Sequence, residues 1–188
     1  MATHKTNKDL FGNPIPTRKP RLQSVLEKYD RDTLQGRIER LKFVNASFPK
    51  GYWFAMSMEV ASLFSEAKMA FINGEFISTI LLSVAFSEHW LGAYLEGKAS
   101  PKKSYYSITN IINFCRRKKL ISDYLLSRLD RLRAIRNPFV HIKEYDHPDK
   151  FSQRLVAQAT APNRLLEQDA EEALSLMYQI SISLPPGS

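Results

Sequence analysis

The chain has 188 residues, 44% hydrophobic and 24% charged, with a formal net charge of +8. That composition supports one globular domain with a real core and excludes a low-complexity or wholly disordered chain. Seven glycines favour helices over a turn-rich sheet, and a single cysteine, Cys115, excludes an internal disulfide and points to a reducing, cytoplasmic setting.

The first 50 residues read as a basic arm, with eleven Lys/Arg against five Asp/Glu. Pro14, Pro16 and Pro20 predict an extended start. Leu22, Val25 and Leu26, then Leu34, Ile38 and Leu41, predict one or two short helices over 21–45. The opening MATHKTNKDLFGNP has no apolar h-region, so no secretory leader is expected. Phe48-Pro49-Lys50-Gly51 interrupts the pattern, and the main domain is placed at 51–188.

From Trp53 to Asn73, Met56, Val60, Leu63, Ala67 and Phe71 recur at helical spacing, and Asn73-Gly74 predicts the stop. A second helix is predicted from about 75 to 96, ended by Gly97. Its seam reads Ile77, Leu81, Val84, Glu88, Leu91 and Leu95, with Glu88 as the lone acid. The first half is apolar on nearly every side, which predicts a central helix or one that also faces a partner. The run 76–86 is too short to span a bilayer, so no membrane segment is expected.

Ser100-Pro101 offers a cap and first-turn proline for a helix to about Lys119, with Ile108, Ile111, Ile112 and Cys115 inward. Arg116-Arg117-Lys118-Lys119 close it, where the helix dipole favours cations. Ser122 can cap the next helix, whose stripe is Leu125, Leu129 and Leu132, with Arg136 in the following position. Pro138 is expected to break that helix and leave His141 about one turn beyond. Residues 143–162 read as a polar loop. A last amphipathic helix is predicted over 163–182, with Leu166, Ala170, Ala173, Met177 and Ile180 inward.

The chemistry concentrates in Arg136-Asn137-Pro138-Phe139-Val140-His141. Residues 102–143, which end in it, carry eleven Lys/Arg and only two Asp/Glu, a field that draws polyanions. The bland counterpart is a solvated basic face. A guanidinium offers a fork of donors matched to phosphate oxygens. Histidine is the side-chain type that most readily gives and takes a proton near neutrality. Together they could cleave RNA without a metal: the histidine moves a proton at the 2′-hydroxyl or the leaving oxygen, and Arg136 stabilises charge on the phosphoryl group. Asn137 could orient the histidine or hold a phosphate, and Glu88 is the candidate counter-charge for an inward-facing Arg136. The same spacing also suits a helix-capping arginine and a packed histidine. Arg133, Lys143, Arg116 and Arg117 are the candidate RNA contacts.

The segment from Leu129 to His141, LDRLRAIRNPFVH, resembles the signature of the HEPN superfamily: an arginine, four to six residues, then a histidine, often with a polar residue after the arginine. The order of two long helices joined by Asn-Gly, a helical region ending in the motif, and a final helix is similar too, over roughly residues 53–182. The resemblance implies an all-α, antiparallel four-helix bundle, here with extra short helices and a basic N-terminal arm. It implies a metal-independent endoribonuclease in a toxin–antitoxin or phage-defence setting, working as a homodimer whose two motifs line one cleft. Arg136 and His141 would be catalytic, with Asn137 in support. The implied partners are RNA and an antitoxin or defence protein, with no cofactor, no metal and no membrane. Family toxins silenced by nucleotidyl transfer carry a tyrosine two residues after the histidine; Lys143 stands there in this chain. The rival reading is a non-catalytic RNA- or protein-binding module of the same shape, and a third is a DNA-binding accessory protein using the arm.

Among other features, His89 reads as structural, and His4 and His147 fall in expected loops. Tyr105-Tyr106 beside Lys102-Lys103 could stack on bases but also suit the start of an amphipathic helix. Trp53 and Trp90 are expected in the core or at a dimer face. There is no P-loop and no Gly-x-Ser-x-Gly.

Overall fold

The computed structural model describes residues 21–48, 57–99 and 107–184. The proline arm, His4, Trp53, Met56, Ser100-Pro101 and the Lys102-Lys103/Tyr105-Tyr106 group lie outside the described residues. Seven α-helices and no strand occur among those described. They are α1 (Arg21–Ser47), α2 (Met58–Asn73), α3 (Phe76–Ala99), α4 (Ile108–Lys118), α5 (Asp123–Val140), α6 (Phe151–Gln158) and α7 (Pro162–Ser183). The described residues fall into two compact units, divided between Gln35 and Gly36. Where one or two short helices were expected, α1 is a single helix of 27 residues: nothing between Leu26 and Leu34 halts it, since its only glycine, Gly36, lies mid-helix and its first proline comes after Phe48.

Local chemistry sets the helix ends. The Ser57 side chain accepts from the Val60 N–H, Ser107 from Asn110 and Ser122 from Leu125, each satisfying a donor the first turn leaves free. Gly74 closes α2 in the left-handed region at φ 82°, its N–H donating to the Ala70 and Phe71 carbonyls. The resulting tight connection folds α2 and α3 into a helical hairpin.

Helix α3 packs against α2, α4, α5 and α7, and α7 also packs against α5 and α2. Its buried face differs from the expected seam. Thr79, Ile80, Ser83, Val84, Ser87, Trp90 and Leu91 are buried, whereas Ile77 is exposed and Glu88 is half-buried on the flank. Two of the three buried hydroxyls stay within the helix: Thr79 Oγ1 donates to Glu75 O at 3.0 Å and Ser87 Oγ to Ser83 O at 2.9 Å, whereas Ser83 Oγ has no partner among the described residues. Small residues there and at Ala170 and Ala173 of α7 leave room for close helix approach. Helix α3 also runs past Gly97 to Ala99. By length and composition alone, Phe76–Glu96 could cross a membrane; its buried face packs on the other helices.

The second half of α1 joins this core through Phe43, Val44 and Phe48. Arg40 pins it, donating from Nε to Ile72 O at 3.0 Å, lying 3.6 Å from Glu167 and stacking over Phe76. Residues 143–162, expected to be loop, contain α6.

Candidate active site at the α5 exit

The α5 stripe is Leu126, Leu129, Leu132 and Ile135, all buried, so the inward position falls on Ile135 and Arg136 sits half-buried on its flank. Pro138 does not end the helix, which continues to Val140. Its missing N–H removes only the bond to Ala134, a small loss so close to a C-terminus. His141 is the C-cap, extended at φ −132°, with its N–H donating to Asn137 O at 2.9 Å. The histidine therefore follows directly on the helix rather than a turn beyond a break.

Arg136 differs from Arg128 and Arg133 on the same helix. Arg128 forms a fork to Glu172 at 2.6 and 2.9 Å and also donates to Gln179 at 2.6 Å, tying α5 to α7; Glu172 raises its pKa. Arg133 pairs with Asp130 at 2.9 Å. Among the described residues, the side chains of Arg136, Asn137 and His141 have no hydrogen bond or ion pair. A half-buried guanidinium without a counter-charge, beside an exposed histidine, can engage an anion without first breaking a protein contact.

Glu88 does not supply that counter-charge, and no ion pair joins it to Arg136. It lines a concavity of about 380 Å³ with Ser57, Val60, His89, Gly92, Glu96 and Ile111. A neighbouring concavity is lined by Met58, Glu59, Leu63, Glu66 and His89, among others. His89, expected to be structural, is exposed on the rim of both. The Ser57 hydroxyl, then its own backbone N–H, hold Glu59 below the usual carboxylate range, with a smaller contribution from His89. Arg136 and His141 line neither concavity.

The candidate RNA contacts fall at two ends of α5. Arg116 lies 3.6 Å from Asp123, the first residue of α5, and the exposed Arg117, Lys118 and Lys119 follow it. Arg133 and Lys143 flank the motif at the other end. The rise of the helix puts about 20 Å between Asp123 and Arg136. Arg116 and Arg117 are thus remote from His141, and any strand touching both must run the length of α5. Val140, Ile142 and Tyr145 surround the histidine as exposed apolar side chains.

One feature had no expectation attached. The α6 helix is held by a fork from Arg154 to Asp169 at 2.8 and 2.7 Å, and Asp169 is 6% exposed. The available signal was an acid directly beside the expected apolar stripe of α7, one position before Ala170. Trp90 is fully buried and stacked on Phe86, and Cys115 is free and buried, with burial pushing its thiol up to about 11. No group of three or more His, Cys, Asp or Glu placed to hold a metal occurs among the described residues. No family model, curated protein or solved structure matches the chain.

Proposed function

We propose that this chain is a HEPN-type endoribonuclease that cleaves RNA by 2′-hydroxyl attack without a metal, in the cytoplasm and in a toxin–antitoxin or phage-defence setting. The observation that carries the reading is Arg136: half-buried at the exit of α5, unpaired among the described residues, and next to an exposed histidine. In that role His141 removes the 2′-hydroxyl proton or protonates the leaving oxygen, Arg136 holds the phosphoryl oxygens and Asn137 offers an amide to either. The four-helix bundle would be α2, α3, α5 and α7, which pack in a closed circuit. Glu88 stands in a separate concavity, which argues against a direct part in the chemistry. Arg133 and Lys143 would grip the backbone at the scissile phosphate, and Arg116 and Arg117 further along the strand.

The exposed Val140, Ile142 and Tyr145 are what a second subunit would cover if the two motifs share one cleft. The test is incubation of mixed RNA with the protein in EDTA, reading cleavage and the ends formed. Cyclic phosphate ends lost in His141→Ala support the reading.

One observation favours a second reading. Among the described residues His141 has no side-chain partner to fix its ring, whereas a general base is commonly oriented by a neighbour. A non-catalytic RNA- or protein-binding module would bind through the same cations, and His141→Ala would leave binding intact.

A further inference from the structure

Helix α6 buries no residue in the core, and Val156 on it is largely exposed. Eight residues with that surface would not remain helical alone, because nucleation is costly and the apolar gain is small, with Phe151 and Leu155 only half-buried. What holds α6 is specific. The Arg154 fork to Asp169 clips it to the first half of α7, and both side chains are withdrawn from water, at 13% and 8% exposure. Phe151, its first residue, rests on Phe139 with ring centroids 5.8 Å apart. Phe139 lies within the segment from Arg136 to His141.

The stretch between His141 and α6 is braced within itself and to α6. Lys150 N donates to His147 O at 2.9 Å and Asp149 N to His147 Nδ1 at 3.2 Å. The Gln153 side chain reaches Tyr145 O at 3.4 Å, and Lys150 lies over the Tyr145 ring. Residues 141–158 therefore form one strap, covalently joined to the motif at one end and clipped to α7 at the other.

We infer that Arg154 and Asp169 are positioning residues: their ion pair latches this strap and so sets where His141 and Lys143 stand relative to Arg136. For the effect on cleavage this rests on the ribonuclease reading; the latch itself does not. Removing the arginine leaves Asp169 a charge without a partner, and the least costly relief is to lift α6 and let water reach the carboxylate. The strap then opens while the core of α2, α3, α5 and α7 stays folded.

The test uses the full chain with Arg154→Ala, Asp169→Asn and the exchanged pair Arg154→Asp/Asp169→Arg. Trypsin cleavage at Lys143 and Lys150 and amide exchange over 142–158 read the latch. Each single variant is expected to raise both by roughly ten- to a hundredfold, with exchange in α3 unchanged. The exchanged pair is expected to recover much of the protection. If Asp169→Asn fails to fold, Arg154→Ala, which leaves α7 intact, carries the test. On RNA, the single variants should lose kcat with KM nearly unchanged. Unchanged proteolysis and exchange in Arg154→Ala overturns the latch. Opened straps with full kcat overturn the positioning role. A wild type that cleaves no RNA removes the ribonuclease reading, and proteolysis still decides the latch.

Discussion

Replacing Arg136 by methionine separates a residue kept for a ligand from one kept for the fold. Methionine preserves the aliphatic stem and removes only the guanidinium. Among the described residues Arg136 makes no hydrogen bond or ion pair, so none of them is orphaned, and a half-buried charge is relieved of partial desolvation. The expected change in stability is within about 0.5 kcal/mol, or a slight gain. Arg128→Met is the internal control. It breaks the fork to Glu172 and the bond to Gln179; because Glu172 is 43% exposed and its interactions are screened, the expected loss is about 1–3 kcal/mol. For a domain of this size that lowers Tm by about 3–10 °C, whereas Arg136→Met stays within about 2 °C of wild type. Thermal melts followed by circular dichroism at matched salt measure both. An Arg136→Met protein as destabilised as Arg128→Met would show that the guanidinium holds the bundle together, and the argument for a free phosphate donor would fall.

Gly74→Ala should cost about 1–2 kcal/mol, because alanine is strained at φ 82° and its Cβ would come within 3.2 Å of the Arg40 guanidinium; a denaturant midpoint equal to wild type would contradict that. Cys115 should be inert to a disulfide reagent at about pH 8 in the native protein and react fully in guanidinium, since burial keeps the thiol protonated. The folded thiol holds its proton to about 11 against an ordinary 9.0, so its contribution to stability is intact below 9.0 and lost as pH rises toward 11. Rapid native labelling at neutral pH would refute the buried placement.

Much of the helical framework was legible because its signals are local. Asn73-Gly74 and Ser122 act through backbone geometry that a short window contains. The face of α3 was not legible. A helix apolar on nearly every side has no unique period, and the buried face carries small hydroxyl residues, two of which, Thr79 and Ser87, donate to carbonyls one turn back in the same helix. The eye fell on Glu88 as the acid in a seam, whereas the buried acid is Asp169, one position from the expected stripe of α7. Helix α6 was hidden for the same reason: its stability comes from a residue fifteen positions away, which composition cannot reveal. Pro138 misled in the opposite direction, since a rule for helix interiors weakens where few bonds remain to lose. For the site, Arg136 and His141 were legible as a pair; that Arg136 has no partner among the described residues, where Arg128 and Arg133 have theirs, depends on tertiary placement that no short window contains.

The most direct measurement of the central claim is cleavage of mixed RNA in EDTA by the wild type and by His141→Ala, with the ends analysed. The account predicts metal-independent cleavage with cyclic phosphate ends from the wild type and none from a folded His141→Ala. Equal cleavage by the two proteins, or cleavage only on adding a divalent metal, would contradict it.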